Sequence, residues 1–287
     1  MRALAWEFPN DAQLAAVDNQ FMLGPSILVT PVLQPLVDYV QGVFPGVGDG
    51  TIWYDWYTLQ PVAAQAGENV TMPAPLGHIN VHVKGGSVLP LQQPGNNTAT
   101  SRNNPWSVLV ALDGNGEAEG SLYLDDGVSL VQNATKNVAL AFANNTLTTT
   151  VTGTFQSNTP LANLTVAGVQ QMPTGMSVHL DGNECSTAEV VLSYADGVLY
   201  VSGLESLSAG GVWNGALTIG FQMGQGNGNN GGNGQGNGQG NGQGNGYQGG
   251  QHGGYQGNGH DGGHWYGGAG GYGGYGGYVY GKGGKHN

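Results

Sequence analysis

Cysteine is almost missing from this chain. Cys185 is the single one, so no disulfide can close within it. Basic residues are nearly as scarce, with six Lys and Arg against 18 Asp and Glu and a formal net charge of −12. Phosphate backbones and anionic lipid surfaces need clustered cations. Nucleic acid and membrane surfaces are therefore excluded as expected partners. No run of about 18 apolar residues occurs, so no helical membrane span is expected. Residues 1–9 hold no apolar stretch long enough for a signal-peptide core and soon meet Glu7 and Pro9. No Ser/His/Asp triad, phosphate-cradling glycine loop or zinc-type Cys/His spacing is present, and no cofactor or metal is expected.

What is present divides in two. Residues 224–287 hold 31 of the 55 glycines. There Gly-Asn-Gly-Gln recurs between 226 and 246, and Gly-Gly-Tyr between 270 and 278. Such a segment has too little apolar mass to offset the entropy of ordering its backbone, so a disordered extension is expected. Its tyrosines, with His252, His260, His264 and His286, are suited to cross-linking, weak metal binding or self-association, or to none of these. Residues 1–223 carry 17 acidic residues against Arg2, Lys84, Arg102 and Lys136. They are numerous enough for one or two cores. An acidic surface is compatible with a neutral ligand such as a sugar without identifying one.

Asn10 or Asp11 caps an expected helix over residues 10–24, with Leu14, Val17 and Phe21 spaced three to four apart and Gly24-Pro25 as its stop. Residues 26–30 read as a short buried strand. From residue 31 the pattern is all-β. Strands are expected at 39–44, 52–57, 69–72, 79–83, 87–91, 107–112 and 121–124. A second set follows at 138–143, 147–151, 164–169, 176–180, 190–194, 198–202 and 217–221. Gly, Pro and Asp-Gly turns separate them, and Ala195-Asp196-Gly197 marks a hairpin. Regular spacing of this kind points to β-sandwiches.

Five Asn-x-Ser/Thr sequons, at Asn69, Asn96, Asn133, Asn144 and Asn163, are candidate glycosylation sites and point to a secreted, extracellular or cell-wall protein. The other constellations read as structure. His78 and His82 are four apart in a strand-like run, which separates them by roughly 13 Å, too far for one ion. Asp113-Gly114-Asn115-Gly116-Glu117 resembles a calcium loop, but Ala118 and Leu124 stand where such a loop needs glycine and a bidentate glutamate. A β-turn is the expectation there. Asp125 and Asp126, as neighbours, are poorly placed to face one another across a glycosidic bond, and a hydrogen-bonded turn is expected. Trp53, Tyr54, Trp56 and Tyr57 form an aromatic cluster that reads first as core and second as a sugar platform.

Several segments resemble the C-terminal part of glycoside hydrolase family 31, the maltase, glucoamylase and sucrase-isomaltase group. Phe21-Met22-Leu23-Gly24-Pro25-Ser26-Ile27-Leu28-Val29-Thr30-Pro31-Val32-Leu33 is similar to the family's Gln-Phe-x-x-Gly-Pro-x-Leu-Leu-Val-x-Pro-Val-Leu stretch at the close of its barrel. Trp53-Tyr54-Asp55-Trp56-Tyr57-Thr58 resembles its Trp-Tyr-Asp-x-Tyr-Thr segment. Residues 73–86, from Pro73 to Gly86, resemble its Pro-Leu-Asp-His-Ile-x-x-His-x-Arg-Gly-Gly segment, with Gly77 in place of the Asp and Lys84 in place of the Arg. Residues 87–92 and 124–127 match in the same order.

The resemblance covers about residues 2–128. With the strand pattern beyond it, this gives a mainly β chain: the end of a (β/α)8 barrel at 1–30, a proximal β-sandwich at 31–114, a distal one at 115–223 that resembles the family's distal β-domain only in strand pattern and length, and a Gly-rich tail at 224–287 with no counterpart in the family pattern. The resemblance also implies a retaining α-glucosidase acting on an oligosaccharide or α-glucan, with both catalytic aspartates on the barrel. Neither the Asp-Met-Asn-Glu-like nor the Gly-Asp-Asn-like motif occurs here, so no catalytic residue is assigned and this chain alone is expected to be inactive. Met1 is then expected to be an internal methionine of a longer reading frame, and residues 1–30 to leave apolar surface around Trp6, Phe8, Phe21 and Ile27. Two other readings stand beside this one: a carbohydrate-binding β-sandwich, and a structural extracellular protein that assembles through its tail.

Overall fold

The computed structural model describes residues 1–208 and 210–224. Nearly all of the tail expected at 224–287 lies outside the described residues.

The described chain is built on three sheets. Strands β1 (Phe21–Leu23), β2 (Ile27–Thr30), β4 (Trp53–Asp55) and β6 (Asn80–Lys84) form an antiparallel sheet in the order β1-β2-β6-β4. Strands β3 (Tyr39–Gly42) and β5 (Val70–Pro73) form a two-stranded ribbon. The third sheet has eleven strands. In chain order they are β7 (Ser87–Gln92), β8 (Trp106–Ala111), β9 (Ala118–Leu124), β10 (Lys136–Ala143), β11 (Thr146–Gly153), β12 (Leu161–Ala167), β13 (Pro173–Leu180), β14 (Asn183–Cys185), β15 (Val191–Ala195), β16 (Val198–Ser202) and β17 (Leu217–Met223). Their order in space is β14-β13-β17-β11-β10-β9-β7-β8-β12-β16-β15.

The eleven-stranded sheet curls over and packs on itself. Val108, Leu164 and Val201 from one end share a core with Leu140, Leu147 and Ile219 from the other. Trp106 meets Trp213 edge to face inside it, 5.9 Å between centroids. Local sequence dictates much of this. Along β10, buried and exposed residues alternate without a break, the period of a half-buried strand. Asn144 and Asn145 have φ of 50° and 58°, as a two-residue type I′ hairpin requires. Asp196-Gly197 makes the same turn between β15 and β16, where a hairpin was expected. Gly120 has no alternative: a Cβ there would sit 2.0 Å from the Val88 carbonyl oxygen.

A second core lies between the four-stranded sheet and the β3–β5 ribbon. It gathers Leu4, Leu14, Met22, Leu28, Phe44 and Trp53. A third joins the opposite face of the four-stranded sheet to the outer face of the large one, through Tyr54, Val83, Leu109, Ala111, Ala167 and Val198.

Expected strands correspond to observed ones within a few residues, with two exceptions. The helix expected over 10–24 does not form. Asp11 does cap, accepting from the Gln13 amide, but only a 3-10 turn, Ala12–Ala16, follows. The chain is then pinned open by Gln20. Its buried side-chain amide bonds Thr30 Oγ1 and both backbone groups of Val43. Phe21 consequently begins strand β1, and Gly24-Pro25 closes a hairpin rather than a helix. β14 was not expected either. Hydrogen bonding also crosses the boundaries drawn at 30 and 114: β2 pairs with β6, and β7 and β8 lie in the same sheet as β9 onward.

Two buried titratable groups stand out. Lys136 donates to Asn214 Oδ1, and burial lowers its pKa. His82 is buried against the Phe44 ring, 4.8 Å away, with Nδ1 unpartnered. Burial pushes its pKa down to about 4, opposed by a weaker upward pull from Asp55 and aided by a weaker downward one from His78. The folded chain holds this ring neutral, while the unfolded chain protonates it near 6.5. Its contribution is therefore complete above about 6.5 and is lost as pH falls toward 4, by up to roughly 3 kcal/mol. Thermal melts between pH 7 and 5.5 should show a loss of stability that shrinks in His82→Leu.

Candidate functional site

The residues that resemble family motifs gather where the four-stranded sheet meets the large one. Trp53 buries its ring beside Phe8 and Phe44 and donates from Nε1 to the Pro45 carbonyl. Tyr54 points to the other face and donates its hydroxyl to the Leu112 carbonyl at 2.8 Å. Burial, reinforced by Asp113, pushes that phenol up to about 12, so it stays a donor. Asp55 organises the turn that follows. Its Oδ1 accepts from the amides of Tyr57 and Thr58 and from the Thr58 hydroxyl. Leu59, at φ 57°, returns its amide to the Asp55 carbonyl. Trp56 is half-buried, and Tyr57 packs against His78 with the rings tilted by 42° and 4.7 Å between centroids. Three of the four clustered aromatics thus serve the interior, and Tyr57 alone is more than half exposed.

Gly85 and Gly86 close the segment because two sheets meet there. A Cβ at Gly85 would lie 2.8 Å from the Leu112 carbonyl oxygen, and Gly86 has φ of 84°. Their amides bond the carbonyls of Ile52 and Ala111, linking the small sheet to the large one.

The acidic motifs are spent on turns. Asp113 Oδ1 accepts from the amides of Asn115 and Glu117, the turn expected there. Asp125 Oδ1 takes the Gly127 amide, and Arg102 reaches its carbonyl and carboxylate. Asp126 accepts from the Ser129 hydroxyl and from the amides of Val128 and Ser129. Those donors, the hydroxyl foremost, hold its carboxyl well below the usual range. Among the described residues no group of three or more His, Cys, Asp and Glu is arranged to hold a metal ion. A cleft of about 230 Å³ lies beside Asp11, Gln13, Phe44, Gly46 and Asp49, apart from the motif segments. No described helix is long and apolar enough to cross a membrane.

Of the five sequon asparagines, Asn69, Asn96, Asn133 and Asn144 are exposed in loops or turns. Asn163 is half-buried on β12, hydrogen-bonded between β8 and β16.

Residues 1–89 match the Glycosyl hydrolase family 31 C-terminal domain, and the chain is 50% identical over 213 residues to an alpha-glucosidase of Aspergillus niger. The chain belongs to glycoside hydrolase family 31. That alignment covers 74% of this chain and 21% of the Aspergillus protein. An alpha-glucosidase of Schizosaccharomyces pombe is 49% identical over 218 residues, 75% of this chain and 22% of that protein. The chain thus spans about a fifth of the length of the curated relatives it matches. The glucosidase II alpha subunit, crystallised with Tris, superposes with a TM-score of 0.65 at 22% identity, over 76% of this chain and 25% of that one. A Flavobacterium johnsoniae family 31 dextranase in complex with glucose gives 0.56 at 21% identity, over 77% and 29%. The family segments in this chain are thus pieces of packing and turn geometry.

Asp55→Ala should lower stability by about 1–2 kcal/mol through loss of three bonds in one turn. Asp55→Asn, which keeps the accepting Oδ1, should lose less. Urea denaturation of the two variants against the parent checks both.

Proposed function

We propose that this chain is the C-terminal β part of a retaining α-glucosidase that removes terminal α-linked glucose from oligosaccharides. The observation that carries this is the 50% identity with the Aspergillus niger alpha-glucosidase over 213 residues. Retaining hydrolysis needs one carboxylate as nucleophile and a second as acid and base, about 5–5.5 Å apart across the bond. The carboxylates of Asp55, Asp113, Asp125 and Asp126 are each occupied by turn amides. The catalytic pair belongs to the barrel, and this part supports it. The isolated chain should therefore hydrolyse neither maltose nor an aryl α-glucoside. The Aspergillus niger relative, with its aligned region replaced by this chain, should hydrolyse both. Turnover by the pure isolated chain, or a folded but inactive chimera, would overturn the proposal.

We also propose that the protein is secreted and carries N-linked glycans at Asn69, Asn96, Asn133 and Asn144. Their exposed loop positions support this. Asn163 is expected to be bare, because its strand is paired on both edges and Thr165 of its sequon is buried. Peptide mapping after enzymatic deglycosylation in isotope-labelled water, on protein secreted by a yeast host, should label four sites. Label at Asn163 equal to that at the others counts against the reading.

A further inference from the structure

The large sheet ends in two strands that differ in how they are guarded against further pairing. At one end lies β14, three residues long and carrying the charged Glu184. At the other lies β15, Val191-Leu192-Ser193-Tyr194-Ala195, five residues with no charge, no proline and no register shift. Unpaired amides and carbonyls on an edge strand are a template for another strand, so edges are ordinarily kept short, charged, bulged or interrupted by proline. β15 has none of these devices. The small sheet differs again: its outer strands are bridged, β1 by Arg2 and β4 by Pro61.

Turn geometry fixes which groups of β15 point outward. Asp196 and Gly197, at φ 49° and 78°, make a two-residue hairpin, so Ala195 and Val198 exchange both backbone bonds. Hydrogen-bonded and open pairs alternate along an antiparallel ladder. Ser193 and Val191 are therefore also bonded to β16, opposite Tyr200 and Ser202. The amides and carbonyls of Leu192 and Tyr194 face the other way, along the edge. The side chains of Leu192 and Tyr194 pack on the core of the large sheet, and the Tyr194 hydroxyl donates to the Val169 carbonyl at 3.1 Å. Val191, Ser193 and Ala195 are exposed on the opposite face.

We propose that β15 pairs antiparallel with β15 of a second copy of this chain, about a two-fold axis through Ser193. The occupant follows from the register. Centred on Ser193, the pairing sets Leu192 of each copy opposite Tyr194 of the other, so every outward amide and carbonyl of Leu192 and Tyr194 is bonded. A shift by one residue would set outward groups against inward ones, and a shift by two would carry Leu192 or Tyr194 past the end of the strand. Leu192 meets Tyr194 on the core face and Val191 meets Ala195 on the other, cross-strand pairs of the kind that stabilise sheets. Two terms oppose the contact. Each copy carries a net charge of −12, and the two-fold brings Glu189 of one toward Asp196 of the other. A strand pair this short also buries well under the ~1,000 Å² of a stable interface. The association is therefore weak, concentration-dependent and strengthened by salt, which screens the like charges. It uses no catalytic group and stands independently of the α-glucosidase reading.

Sedimentation velocity of the full chain, at rising concentration in low and high salt, tests the pairing. A monomer–dimer equilibrium that salt shifts toward dimer is expected. Ser193→Lys sets like charges opposite one another at the axis and should weaken the dimer at least about tenfold. Ser193→Val, a better strand residue, should tighten it. Asn183→Lys adds the same charge at the exposed β14 edge and should leave it unchanged. Melting of each variant separates lost pairing from lost folding. If Ser193→Lys does not fold, Leu192→Pro, which removes an outward amide without breaking a bond to β16, carries the result. A chain that stays monomeric in high salt at its highest soluble concentration would overturn the proposal. So would a dimer that Ser193→Lys leaves intact, or one that Asn183→Lys weakens equally.

Discussion

Ile27–Thr30 pairs antiparallel with Asn80–Lys84, and on that pairing the rest of the arrangement depends. It brings the residues after the Gly24-Pro25 turn against the strand that ends in Gly85-Gly86. One side of the pair carries Leu28 and His82 into the core shared with Phe44 and Trp53. The other carries Val83 onto Leu109 and Ala111 of the large sheet. Two cores on opposite faces of one thin sheet constrain its residues from both sides. Gly85 must let the Leu112 carbonyl approach, Tyr54 must span to that same carbonyl, and His82 must stay uncharged.

The family segments thereby acquire physical roles unrelated to bond cleavage. Asp55 shapes the turn that delivers Leu59 and Trp56 to the third core. Asp126 orders the start of the loop between β9 and β10, with Arg102 braced against its neighbour Asp125. The hydroxyl and amide donors on Asp126 favour its ionised form and make it a poor proton carrier at neutral pH. Such groups suit a support that holds its shape while chemistry is done elsewhere.

Strands were legible in the sequence where alternation and turn chemistry agreed. β10 and β15 were readable in this way, because turn residues able to adopt positive φ fix the hairpins and the alternation fixes the faces, whereas β16 was readable as a strand but not by its faces, its alternation being imperfect. The segment 10–24 was misread because Leu14, Val17 and Phe21 mimic helical spacing. The decisive signal was Gln20, a polar residue whose partners, Thr30 and Val43, lie in other elements. The aromatic cluster was readable as core. Which member stays outside was not, since that depends on which strand lies above each ring. The pairing of strands across residues 30 and 114 was not legible for a similar reason: strand order in a sheet is not sequence order.

By itself the sequence determined a β-rich chain, the positions of most strands and turns, and the family to which its first half belongs. These rest on local chemistry: side-chain alternation, residues able to adopt positive φ, and ordered motif matches. Only the tertiary structure decided that the eleven-stranded sheet curls onto itself and that Asn163 is held within a paired strand while four other sequons are exposed. Those outcomes depend on which distant residues become neighbours, and no local pattern along the chain encodes the free energy of that choice.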